Sequence, residues 1–273
     1  MTASEEKTIL LEKREQIAYI TFNRPEKMNA FRNMEYDLFI DLVDECERDD
    51  SIHAVIITGN GRAFCAADDM NGMRVEGYTG RTEAIGAMMR DKIDWVLNGQ
   101  PLHPLQQVVK TIYDSGKVYI GAVNGVCWIA EMVYPLDFVI AADVATFAQS
   151  DIRISICPGG GSTQTLTRAL GRRRALEMLL LPELISAQEA YRIGIVTKVV
   201  PLADLMSEAE ALAKKIIIYN PKTIAMTKRA VTKSQDGIPI EEGLKLEYLY
   251  SSFTHPLSAD SPWRKAWKET KGK

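Results

Sequence analysis

Ile17-Ala18-Tyr19-Ile20-Thr21-Phe22 and His53-Ala54-Val55-Ile56-Ile57-Thr58-Gly59 decide the fold class, because of what lies between them. The first run alternates and is stopped by Asn23-Arg24-Pro25, which reads as a strand. The second is a short apolar run closed by glycine, which reads as a buried strand. Between them Met34, Leu38, Leu42 and Cys46 recur at about four-residue spacing, a helical period, before the charged stop Glu47-Arg48-Asp49-Asp50. Strand, helix, strand in this order predicts a parallel layer with helical crossovers.

Working outward, Val118-Tyr119-Ile120-Gly121-Ala122-Val123 is another strand, turned by Asn124-Gly125. Phe138–Ala141, Ala145–Phe147 and Val196–Val200 are further short strands, and Thr163–Leu170 and Arg174–Leu181 are helical. Residues 71–105 are polar and irregular, with a helical stretch near Ala84–Val96, and read as a mobile cover over a site. From Leu202 the pattern is helical throughout, punctuated by Pro221 and Pro239. The expected organisation is an α/β core over residues 1–200 and a C-terminal helical subdomain over 201–273.

The bulk properties narrow the function. The chain has 273 residues and a net charge of −3, so no global positive field holds nucleic acid. No apolar run reaches the length of a membrane span. The N-terminus reads as neither a signal nor a transit peptide. Cys46, Cys65, Cys127 and Cys157 fit neither a zinc site nor a redox pair, and only three histidines are present, so no metal is expected. A reducing, cytoplasmic home is the simplest reading.

Glu131 stands alone in the apolar stretch Val126 to Leu136. A buried carboxylate is costly unless paired or functional, which makes Glu131 a candidate site residue. The competing reading is a structural bond to a helix N-terminus. Pro158-Gly159-Gly160-Gly161 lacks the ending of a phosphate-binding loop. Gly161-Ser162-Thr163 lacks the frame of a nucleophile elbow.

Several segments then fall into one order. Asn23-Arg24-Pro25-Glu26-Lys27-Met28-Asn29-Ala30 resembles an N-R-P-x-x-x-N-A signature. Gly61-Arg62-Ala63-Phe64-Cys65-Ala66-Ala67-Asp68-Asp69 resembles G-x-x-F-x-A-G-x-D, and Ala122-Val123-Asn124-Gly125 resembles A-x-N-G. Pro158-Gly159-Gly160-Gly161-Ser162-Thr163-Gln164 resembles P-G-x-G-x-x-Q, and Pro221 and Lys228 sit like a P-x-x-x-x-x-x-K helix. This ordered set, covering nearly the whole chain, resembles the crotonase (enoyl-CoA hydratase/isomerase) superfamily. The resemblance implies a crotonase-like spiral of ββα units with a C-terminal helical subdomain, assembled as a homotrimer or a dimer of trimers. The implied substrate is an acyl-CoA thioester. Coenzyme A is then part of the substrate, and no cofactor stays bound.

The resemblance also implies site residues. Thioester enolate chemistry needs two convergent backbone N–H donors, and removing one such donor typically costs about 3 kcal/mol. By position these are Asp68 and Trp128. Asp68 and its neighbour Ala67 replace the family's usual residues, and Ala67 implies a backbone with no need of positive φ. The Asp68 carboxylate either faces solvent or a local turn, or enters the pocket as an extra acid. The family's glycine run before the catalytic Glu is absent, and the chain is shorter between Gly125 and Asp137. Counting back from Asp137 puts Trp128 at the second donor position, with core packing as its alternative. The same count aligns Glu131 and Asp151 with the catalytic acids at the family's spacing. Asp151 has a shorter reach by roughly 1.5 Å, and its alternatives are a pair with Arg153 or a turn contact. Lys27, Met28, Ala30 and Ala66 align with the coenzyme A path, and Phe253 and Lys271 complete it, from a neighbouring subunit in one arrangement. The leading expectation is a lyase that adds or removes water. A carbon–carbon bond (ring-opening) hydrolase, favoured by the rebuilt 126–130 loop, and a double-bond isomerase are alternatives. A non-catalytic CoA-ester-binding module is the alternative from another class.

Overall fold

The computed structural model describes residues 7–69, 104–128, 130–262 and 264–265. The segment read as a cover, 71–105, falls outside them except for its last two residues, and Lys271 falls outside them too. In chain order, β1 (Ile9–Arg14), β2 (Ile17–Phe22), α1 (Asn33–Arg48), β3 (Ala54–Gly59) and β4 (Ala63–Cys65) come first. Next are α2 (Pro104–Asp114), β5 (Val118–Val123), β6 (Val126–Cys127), β7 (Phe138–Ala142) and β8 (Thr146–Phe147). They are followed by α3 (Ser162–Leu170), α4 (Arg172–Leu180), β9 (Ile185–Ser186), α5 (Ala187–Ile193) and β10 (Lys198–Val200). Helices α6 (Leu205–Ile217), α7 (Pro221–Gln235) and α8 (Ile240–Thr254) end the described chain, with a short 3-10 segment after them.

The expected β-α-β unit is present: β2 and β3 pair in parallel, with α1 as the crossover. They belong to a six-stranded sheet of order β1-β2-β3-β5-β7-β10, parallel except for β1 against β2. A second sheet runs β4-β6-β8-β9. Three times the chain leaves the large sheet and enters the small one after a tight corner: β3 to β4, β5 to β6, and β7 to β8. This is the spiral of ββ turns.

The corners explain two of the sequence motifs. Asn124 Nδ2 donates to Gly61 O at 2.8 Å and Ala63 O at 3.1 Å, and its Oδ1 accepts the Gly59 N–H at 3.2 Å. Asn29 Nδ2 donates to Asn60 O and Ala63 O at 3.0 and 2.7 Å. Two buried carboxamides thus satisfy backbone groups that the β3–β4 corner takes out of the ladder. Gly125 is required here, since a Cβ would stand 2.2 Å from Arg62 O.

Side chains on β2 alternate between two cores. Ala18, Ile20 and Phe22 face the core shared with α1, while Ile17 and Tyr19 face the one closed by α6 through Leu205, Ala209 and Ala213. Burial on both faces is why β3 and β5 read as continuous apolar runs. The buried stripe of α1 is Tyr36, Phe39, Val43 and Cys46. Met34, expected on that stripe, is 55% exposed, and Leu38 and Leu42 lie at its margin. The helix turns by 3.6 residues, so a strict spacing of four drifts off the face that alternating steps of three and four hold. Strands β1, β4, β6 and β9 were not expected from the sequence; three are short, and β1 carries Glu12, Lys13 and Arg14 at its exposed edge. Among the described residues no helix is long and apolar enough to cross a membrane.

Candidate active site

Glu131 lies in a 3-10 turn, Ala130–Met132, just past the end of β6, and its neighbours are buried. The residue itself is 4% exposed. Its Oε1 accepts the Gly160 N–H at 3.1 Å and the Ser162 hydroxyl at 3.0 Å. Both donors stand where the chain enters α3, so the glycine run before that helix is a cradle for the carboxylate. Both readings of Glu131 therefore meet in one place: it is tied to a helix N-terminus, and its chemistry is altered. Burial, then the charge of Asp151, push its pKa up to about 7; the Ser162 and Gly160 bonds pull it down, and Asp68 adds a further upward push. Burial outweighs two hydrogen bonds, and the carboxyl is poised near neutrality, where an acid–base group is most effective.

Asp151 opens the 3-10 turn Asp151–Ile154, and its Oδ2 accepts the Gln149 Nε2–H at 2.6 Å. Arg153, weighed as its partner, instead donates to the Pro182 carbonyl. Gln149 is buried, so it fixes Asp151 from the core side.

Asp68 is reached from the other end of the site. Phe31 N–H donates to Ala67 O at 3.0 Å and Asp69 N–H to Phe31 O at 2.7 Å, which locks residues 66–69 beside 28–31. The Asp68 carboxylate accepts the Tyr36 hydroxyl rather than facing open solvent. Ala67 is not among the residues of positive φ, in keeping with its side chain. Arg24 ties the first motif to the second: its guanidinium donates to Asp69 Oδ2 at 2.9 Å and to Ala30 O at 2.6 Å. Glu131, Asp151 and Asp68 thus share one electrostatic field although 83 residues separate the first and last in sequence.

Trp128 departs from its expected role. Its N–H donates to Cys65 O at 3.1 Å, extending the β4–β6 ladder by one residue, so this donor is spent on the ladder. Counting back from Asp137 placed the shortening of the chain before Trp128; the ladder, counted forward from Gly125, places it after.

Of the residues aligned with the coenzyme A path, four form one lip beside Asp68. Lys27 is exposed in the 3-10 turn Pro25–Lys27, and Met28 is left-handed at φ 51°. Met28 O accepts the Ala66 N–H at 3.0 Å, and Ala30 is held by Arg24. Phe253 is elsewhere, on α8, and is 61% exposed. Sequence reasoning missed Gly160, Ser162, Tyr36 and Gln149. The glycine run at a helix start was a usable signal for the first two, because such a start presents backbone donors to an anion.

Known proteins resemble this chain over most of its length. The family model described as enoyl-CoA hydratase/isomerase matches residues 12–261. The Dictyostelium discoideum protein named "Probable enoyl-CoA hydratase, mitochondrial" is 32% identical, over 88% of this chain and 80% of its own length. The short-chain-enoyl-CoA hydratase of Clostridium acetobutylicum is 31% identical, over 82% of this chain and 81% of its own. The crystal structure of an enoyl-CoA hydratase from Polaromonas sp. JS666 superposes with a TM-score of 0.80 at 26% identity, covering 96% of this chain and 97% of that one. The chain belongs to the enoyl-CoA hydratase/isomerase family.

Proposed function

We propose that this protein is a lyase that adds water reversibly across the α,β double bond of an enoyl-CoA thioester. The observation that carries the reading is Glu131: a buried carboxyl held near neutrality by burial and by a second acid, Asp151, in the same field. The two acids share the attacking water. Its oxygen bonds to the β-carbon, the double-bond electrons move onto the thioester oxygen as an enolate, and the water's proton passes through the acid pair to the α-carbon. Net, one water adds and no oxidant or cofactor is consumed. The Asp68 backbone is the oxyanion donor in this scheme, by its place in the family motif; Trp128, whose N–H is engaged by Cys65 O, has no such part.

The lip of Lys27, Met28, Ala30 and Ala66 takes the coenzyme A portion, with Phe253 and Lys271 of a neighbouring subunit closing it. A homotrimer or a dimer of trimers fits α7 and α8, which have no buried side chain in the single chain, while Ile240, Leu244, Tyr248 and Phe253 are exposed along α8. Residues 201–273 serve in this reading as the assembly and coenzyme A-contacting part, and the protein works in the cytoplasm. Incubation with crotonyl-CoA tests the reading: reversible water addition that Glu131→Gln and Asp151→Asn both abolish supports it. Deuterium uptake at the α-carbon without hydration replaces it with an isomerase.

A further inference from the structure

The hydration chemistry leaves unused three buried polar atoms on the segments that carry the acid pair. Tyr134 Oη, Gln149 Oε1 and Trp128 Nε1 are buried and make no hydrogen bond among the described residues. Tyr134 is 8% exposed and Gln149 1%. Folded proteins rarely leave such atoms orphaned unless a ligand or a water completes them.

Gln149 and Tyr134 are tied to the acid pair, and Trp128 precedes the Glu131 turn in the chain. Gln149 spends its amide N–H on Asp151 at 2.6 Å, which leaves its carbonyl oxygen as the unmatched end of the same group. Tyr134 and Trp128 flank the Glu131 turn on either side. Burial, then Cys127, Glu131 and Asp151, hold the Tyr134 phenol well above the usual tyrosine range, so it keeps its proton and stays a donor. The set offers the Tyr134 O–H and the Trp128 indole N–H as donors and the Gln149 carbonyl as an acceptor. A hydrocarbon chain satisfies none of these. A carbonyl or a hydroxyl satisfies two or more.

We propose that the acyl group of the natural substrate carries an oxygen function, carbonyl or hydroxyl, beyond its thioester, and that Tyr134, Trp128 and Gln149 form the subsite that binds it. This rests on the acyl-CoA reading of the site and names its substrate class.

The test is a ratio of kcat/KM values within each protein sample, so that loss of folded protein cancels. γ-Hydroxycrotonyl-CoA is compared with crotonyl-CoA, and γ-oxopentenoyl-CoA with pentenoyl-CoA, for the wild type, Tyr134→Phe and Trp128→Phe. A subsite built to hydrogen-bond an oxygen discriminates strongly against its absence, so the wild type prefers at least one oxygenated member by about tenfold or more. Tyr134→Phe lowers that ratio toward one. Equal constants in the wild type mean that water fills the subsite and overturn the proposal, as does a preference that both variants retain. If no thioester gains water, it is the lyase reading that fails. Calorimetric binding of γ-hydroxybutyryl-CoA and γ-oxopentanoyl-CoA against butyryl-CoA and pentanoyl-CoA then decides the subsite alone: a preference for an oxygenated ester of about tenfold supports it, and equal affinities overturn it.

Discussion

Gly160 has no side chain because Glu131 occupies the space one would need: a Cβ there would stand 2.0 Å from Glu131 Oε2 and 2.4 Å from Leu105 Cδ2. The same glycine donates its N–H to Oε1 of that carboxylate. Gly160→Ala is therefore expected to displace the Glu131 carboxyl. Overpacking of this kind costs about 1–3 kcal/mol, and an acid misplaced by an ångström loses roughly 100-fold in turnover. Thermal unfolding and kcat/KM for an enoyl-CoA check both. A variant with wild-type turnover would remove Glu131 from the chemistry.

The pH dependence follows from Glu131. Acting as the base, it works ionised, so kcat/KM rises with pH and levels off above about 7. Stability runs the other way. The folded-state pKa, about 7, lies above the unfolded value of 4.5, so the folded chain holds an extra proton between them. Glu131 therefore favours the fold fully below pH 4.5, and that contribution, about 3 kcal/mol, is lost as pH rises through 7. Urea unfolding at pH 5 and pH 8 checks this: Glu131→Gln gains on the wild type at the higher pH and is inactive at both.

Ser162 tunes that value. Its hydroxyl bond to Oε1 favours the ionised carboxyl, and Ser162→Ala removes it while the Gly160 N–H remains. The midpoint of the kcat/KM profile is expected to move up by about one unit. A pH profile of the variant that superimposes on the wild type's would deny the hydroxyl this part.

These relations mark where the sequence is legible. Glu131 stood out because isolation in an apolar stretch is a local property, whereas Asp151 came from the resemblance alone, by its spacing from Glu131. The β2–β3 unit was legible from local patterns too: β2 reads as an alternating run, and β3, buried on both faces, reads as a continuous one. The stripe of α1 was misplaced by about a residue, because a period of four approximates 3.6 only over short stretches. The clamp of Ser162 and Gly160 on Glu131 joins segments that only tertiary folding brings together. The place of Trp128 was ambiguous in sequence because a shortened loop can be counted from either end, and only the ladder shows that Cys65 O takes its N–H.

Lys228 latches the C-terminal helices to the large sheet. Its ammonium donates to Asp137 Oδ2 at 2.6 Å and to the Lys117 carbonyl, and the same Oδ2 accepts the Tyr119 N–H at 2.8 Å. Burial raises the Asp137 pKa in spite of this partner, so desolvation already outweighs the pairing. Lys228→Met leaves the carboxylate without its counter-charge, at a cost of about 3 kcal/mol. Adding Asp137→Asn is expected to restore part of it, which urea titration of the single and double variants checks.

The central claim is that Glu131 and Asp151 add water to an enoyl thioester. Its most direct test is mass spectrometry of crotonyl-CoA incubated with the protein in heavy water, beside Glu131→Gln and Asp151→Asn. The expected result is a reversible gain of one heavy water, with one deuteron on the α-carbon, absent from both variants. A crotonyl-CoA that binds and returns unchanged, or one hydrated equally well by Glu131→Gln, would contradict the account.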